Sequence, residues 1–132
     1  MTEIKLTKEE LIKIKEVYQG IMSYASIGLF FRSGEIIGEI IARDVPRENY
    51  FEKISEILKE KGWVEEVEMS EDSVKTRGSA EVHESNAPTC NMLRGIIRKI
   101  YEKYYGTIVN VEETKCESRG DPYCLFEIKR MG

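Results

Sequence analysis

The 132 residues read as an α+β domain, an antiparallel sheet packed on one face by helices. Two observations predict it. Apolar residues recur at helical spacing through most of 7–61 and again through 89–105, whereas 73–82 alternates residue by residue. The second is the order: helices, hairpin, helix, hairpin, with no internal repeats and no low-complexity linkers.

Thr7 is a good N-cap, Glu10 completes a capping box, and Leu11, Ile14, Val17 and Tyr18 follow at helical spacing, so the first helix starts here. After Gly20, residues 21–44 stay helical in pattern, with Ile36, Ile37, Ile40 and Ile41 at near-heptad steps and Gly28, Gly34 and Gly38 embedded. A glycine inside a helix costs about 1 kcal/mol against alanine, so these need a reason. Gly34 and Gly38 are four apart on one face, which allows a close approach by another helix or by the C-terminal hairpin; the alternative is a helix break at Ser33-Gly34. Pro46 stops this segment, and 48–61 forms a further helix with Tyr50, Phe51, Ile54, Ile57 and Leu58 on one face and Gly62 as C-cap.

From Trp63 to Met69 the pattern is that of a strand, and Ser70-Glu71-Asp72 turns the chain into 73–82. That strand places Val74, Thr76, Gly78, Ala80 and Val82 on one side, with Ser73, Lys75, Arg77, Ser79 and Glu81 on the other. Residues 83–88 are a loop. A helix over 89–105 points Met92, Leu93, Ile96, Ile97, Ile100, Tyr101 and Tyr104 inward and ends at Gly106. Strands 107–114 and 123–129 complete the domain, the second with Cys124, Phe126 and Ile128 on one face.

One domain is the expectation for a chain of this length. Charged residues make up 33% of it with net charge −4, and Lys and Arg are interleaved with Glu, which argues against direct nucleic-acid binding. The first residues lack the order of a secretory signal, and the longest nearly apolar run, Ile21 to Phe31, is too short to span a bilayer, so a cytoplasmic location is expected. Phosphate-binding glycine loops, a dinucleotide fingerprint and a redox CxxC are all missing from the sequence. His83, the sole histidine, falls in a polar loop and reads as a surface residue, not a haem ligand. Asp121 and Glu112 read as a turn residue and a solvated strand residue, and Arg119-Gly120-Asp121 as turn chemistry.

The chemistry concentrates between Thr89 and Glu127, which holds all three cysteines, Cys90, Cys116 and Cys124. Glu113, three residues before Cys116 on an extended segment, can lie beside that thiol, and the turn 117–122 brings Cys124 back to it. Cys90 falls in the first turn of the 89–105 helix, where the macrodipole favours a thiolate. Two readings stay open from these residues: a closed tetrahedral set of three thiolates and a carboxylate, suited to zinc, or three reduced cysteines filling a core. A disulfide is disfavoured by the odd count and by the absence of any sign of an oxidising compartment.

Cys90-Asn91-Met92-Leu93-Arg94-Gly95, Val111-Glu112-Glu113-Thr114-Lys115-Cys116 and Gly120-Asp121-Pro122-Tyr123-Cys124-Leu125-Phe126 closely resemble the signature of the 4-vinyl-reductase domain family, predicted hydrocarbon-binding modules. Weaker likeness extends to 29–38, and Asn91 departs from the histidine that many members carry. The resemblance implies structural zinc at Cys90, Glu113, Cys116 and Cys124. It also implies the ligand-binding fold shared with haem–nitric-oxide sensors and vesicle-tethering subunits, and a sensory module without the ATPase and DNA-binding domains of the aromatic-responsive activators. An apolar ligand is implied too, with Phe30, Phe31, Trp63 and Met92 in the chamber wall and a hydroxyl from Tyr24 or Tyr101 to orient the guest; periodicity alone reads these residues as core.

The function that follows is a zinc-stabilised, non-catalytic binding or sensor domain for a small hydrophobic molecule. It works as a homodimer, joined through the exposed apolar residues of 21–44 and the small residues Gly34 and Gly38. The alternatives are a dimeric adaptor of the same fold and, third, an accessory to vinyl reduction of a tetrapyrrole.

Overall fold

The computed structural model describes residues 2–131. Thr7 and Glu10 form the expected reciprocal capping box and start helix α1, Lys8–Met22. The chain breaks at Ser23, whose φ of 50° is left-handed, and α2 runs Ala25–Arg43. Ile21 and Met22 therefore finish the first helix instead of opening the second. No break occurs at Ser33-Gly34. Helix α3 covers Tyr50–Glu60, strand β1 Glu66–Met69, β2 Ser73–Arg77, α4 Asn91–Tyr105, β3 Val109–Lys115 and β4 Cys124–Arg130.

The strands form one antiparallel sheet in the order β1-β2-β4-β3, and the architecture is α+β with four helices packed on that sheet. Leu93, Ile96, Ile97 and Ile100 of α4 are fully buried beside Val74 of β2, Val109 of β3 and Phe126 of β4 in a single core. Burial of each such side chain contributes roughly 1.5–3 kcal/mol.

Helices α2 and α4 pack backbone to backbone. A Cβ on Gly34 would overlap the Met92 carbonyl, one on Gly38 the Ile96 carbonyl, and one on Gly95 the Phe31 carbonyl. The close approach expected at Gly34 and Gly38 is thus made by α4 within the chain, and neither glycine is available to a second copy. Lys103 of α4 then closes the C-terminus of α2, its ammonium donating to the carbonyls of Ala42, Arg43 and Val45. On the other flank α4 side chains occupy the free edge of β3: Arg98 Nε donates to Val109 O at 3.0 Å and Glu102 Oε2 accepts the Val109 N–H at 3.3 Å. Covering a sheet edge in this way suppresses pairing with foreign strands.

Two departures from the expected strands shape the site. Strand β2 stops at Arg77, because Gly78 takes φ 68° and redirects the chain; the alternation that buries Val74 and Thr76 then switches, and Ser79 and Glu81 become the buried residues. Strand β3 carries a bulge. Glu113 lies opposite Phe126 and Lys115 opposite Leu125, so Thr114 is an extra residue in the ladder.

Candidate metal centre

In a regular strand, residues three apart face opposite sides, and Glu113 and Cys116 would be separated by the sheet. The Thr114 bulge restores them to one side: Val109, Val111 and Glu113 point inward, and after the bulge Cys116 does so too. A 3-10 turn, Glu117–Arg119, and Gly120 at φ 98° then return the chain to Cys124, which starts β4 opposite Thr76. Asp121 pins this turn by accepting the Cys116 N–H at 2.9 Å, which with Arg119 holds its carboxyl below the usual range.

Cys90 comes from the other layer as the N-cap of α4, one position earlier than expected. Its side chain makes no capping bond. Glu81 does that work, accepting the Met92 and Leu93 N–H groups at 3.0 and 2.8 Å, so the positive helix end is answered by a carboxylate and not by the thiol.

The four expected donors, Cys90, Glu113, Cys116 and Cys124, are all buried, and their ligand atoms lie within 4.8 Å of one another. Cys124 Sγ is 3.8 Å from Cys116 Sγ and 3.9 Å from Cys90 Sγ. A tetrahedral ion with metal–sulfur arms of about 2.3 Å sets its sulfurs about 3.8 Å apart. Glu113 Oε1 accepts the Cys90 N–H at 3.1 Å, while Oε2 is buried without any partner. A buried carboxylate oxygen left unpaired is costly, and a cation completes it.

Without a cation the charges crowd one another. Burial, and then the negative charge of Cys116, push the Glu113 carboxyl up to about 8. Hydrogen bonding to Cys116 raises both the Cys90 and the Cys124 thiols, whereas bonds from Cys124 and Cys90 hold Cys116 far below the thiol range. Cys90 is thus not the thiolate that the helix dipole alone would make it. A divalent cation is the group that lets all four donors ionise together.

An outer layer fixes these donors. Ser79 Oγ lies 3.3 Å from Cys90 Sγ, the Glu117 N–H donates to Cys124 Sγ at 3.3 Å, and Thr89 Oγ1 is 3.8 Å from Cys116 Sγ. Ser79 and Glu81 escape a reading by strand alternation, and Gly78 inside an alternating run is the one signal for them. His83 is half-buried, with Nδ1 3.0 Å from its neighbour Glu81's carbonyl oxygen.

The residues expected around an apolar guest are dispersed. Tyr24 is 88% exposed, and the Tyr101 hydroxyl is already committed to the Ser70 carbonyl at 2.5 Å, so neither offers a free hydroxyl to the interior. Phe30 is buried edge-on to Tyr18, Phe31 stacks under Arg94, and Trp63 packs at the core margin. Met92 is half-buried at the α2–α4 crossing. Two clefts mark the surface, one of about 300 Å³ among Lys59, Glu65, Glu68, Lys75 and Arg77, the other of about 100 Å³ among Val45, Arg47, Tyr50, Lys103 and Tyr104. None of the six expected residues lines either one.

Fold and donor set together define an α+β domain with a cysteine-rich centre clamped between a helix start and a hairpin. Residues 72–130, which supply β2, α4, β3, β4 and all four donors, match the family model of the 4-vinyl-reductase domain. The chain carries a domain of the 4-vinyl-reductase family. An uncharacterized protein of Methanocaldococcus jannaschii is 34% identical over 111 residues, 76% of this chain. The chain covers 63% of that relative's length. Among solved structures, the phenol-responsive sensory domain of the transcription activator PoxR, crystallised with phenol, matches with a TM-score of 0.80 at 19% identity, over 98% of this chain and 77% of the other. A vinyl-4-reductase family protein from Methanocaldococcus jannaschii matches with a TM-score of 0.71 at 18% identity, over 98% and 85%. Among the described residues no helix is long and apolar enough to cross a membrane.

Proposed function

We propose that the chain is a zinc-stabilised, non-catalytic binding domain that senses a small hydrophobic molecule. The observation that carries the metal is Glu113, with one oxygen held by Cys90 N–H and the other buried and unpartnered among three sulfurs at tetrahedral spacing. Three thiolates and a carboxylate suit zinc and leave no position for a reactive water, so the ion is structural and ties the start of α4 to the β3–β4 hairpin. Reduced thiolates also suit a cytoplasmic setting.

Sensing is supported by the fold, which the phenol-binding PoxR domain shares. The proposed wall is the part of the expected set on α2 and α4, namely Phe30, Phe31 and Met92. The working form is a homodimer, since α1 and α2 expose more large apolar side chains than a lone small domain needs. A second reading, an adaptor filled by its own side chains, is favoured by the glycine-closed α2–α4 crossing.

Metal analysis of protein purified without chelator should find one zinc per chain, and combined Cys116→Ser and Cys124→Ser should remove it and lower the melting temperature. Less than about 0.2 zinc per chain would sink the metal assignment. On the zinc-loaded protein, phenols and similar apolar aromatics should raise the melting temperature while nucleotides do not; a screen without an apolar hit transfers the assignment to the adaptor.

A further inference from the structure

Helix α1 is turned inside out. Its inward side carries Leu11, Ile12, Lys15 and Gln19, and the only buried residue among them is the lysine. At about 100° per residue, Ile14, Val17, Tyr18 and Ile21 share a stripe turned away from Lys15. Their exposure runs from 44% at Ile14 to 78% at Ile21.

The rotation is locked. Lys15 Nζ donates to Glu81 Oε2 at 2.5 Å and to Thr89 O at 3.0 Å, both buried partners. Rolling α1 to bury its apolar stripe would strip Glu81 of its cation in the interior, which costs more than the stripe returns. Helix α2 repeats the arrangement: Gly34 and Gly38 face α4, while Leu29, Ile36 and Ile40 each stay about half exposed. Spacings 14-18-21 and 29-36-40 follow the three-and-four rhythm of helix-on-helix seams.

We propose that the outward stripes of α1 and α2 are a self-association surface and that a second copy of this chain covers them. This rests on the homodimer reading above and gives it a surface. The half-exposed large apolar side chains of the two stripes amount to roughly 700 Å², close to the ~800 Å² per partner of a stable interface. The flanking charges carry both signs, Lys13 and Glu16 on α1 and Arg32, Glu39 and Arg43 on α2, as a surface that meets its own copy needs. An anionic bilayer fits less well, because Lys8 and Lys13 on α1 are outnumbered by Glu9, Glu10 and Glu16.

Sedimentation equilibrium of the zinc-loaded chain at tens of micromolar should give twice the 15.3 kDa of one chain. Combined Val17→Asp and Ile21→Asp should weaken self-association at least a hundred-fold with circular dichroism and zinc content unchanged. Ile108→Asp, at an equally exposed apolar position outside both stripes, should leave the dimer intact. A monomeric wild type overturns the homodimer reading itself. A wild-type dimer that the double variant leaves intact overturns only the surface, as does cosedimentation of the wild type with vesicles containing phosphatidylserine that the double variant abolishes.

Discussion

Glu113 carries the electrostatic problem of the centre, and its sign with pH is a direct test. In metal-free protein its carboxyl is raised from 4.5 to about 8 by burial and by Cys116. A group raised on folding contributes stability that is complete below its unfolded value and is lost as pH climbs through the folded one. Chelator-treated protein should therefore melt at progressively lower temperature from about pH 5 to about pH 8. Zinc-loaded protein should go the other way over the same window, since the donors must shed protons to bind the ion. Parallel trends in the two preparations would remove Glu113 from the metal shell. Glu113→Gln should abolish the decline in the metal-free form and weaken zinc retention.

At the scale of elements, two helical glycines with different surroundings should respond in opposite directions. Gly38→Ala drives a methyl group into the Ile96 backbone, where no side chain can yield, and should cost at least about 3 kcal/mol. Gly20→Ala in α1 meets nothing within 4 Å and should stabilise by about 0.5–1 kcal/mol through helix propensity. Urea denaturation of both variants checks this, and equal effects would mean that α2 and α4 do not touch through their backbones. The periodicity of 21–44 points to small residues on one face, but not to which element meets them. Only the packed structure identifies α4, whose own Gly95 completes the contact.

Across the whole molecule, the buried Lys15–Glu81 pair joins the N-terminal helix to the metal loop, because Glu81 also caps α4 next to Cys90. Lys15→Met leaves that carboxylate without a cation and should destabilise by about 3 kcal/mol. It should also quicken zinc loss to a competing chelator, since the α4 start that positions Cys90 loosens. Adding Glu81→Leu should return part of the lost stability if the uncompensated charge is the cause. A Lys15→Met protein with unchanged stability and zinc retention would mean that α1 is not coupled to the centre.

Local chemistry made much of this legible in the sequence. The Thr7–Glu10 box, the apolar period of 89–105 and the glycine stops depend on neighbours within a few residues, and they appear where expected. The donors Cys90, Glu113, Cys116 and Cys124 were also readable as a set, through chemical type and spacing. That Glu113 and Cys116 share a side depends on the Thr114 bulge, and a bulge is a property of two paired strands, invisible in either one alone. The switch at Gly78 that buries Ser79 and Glu81 has the same origin in the folded path. Lys15 was hidden because periodicity assigns the inside to the apolar residues, and the structure reverses this. A buried carboxylate 66 positions away decided which side of α1 faces in, and long-range charge pairing of that kind leaves no periodic trace.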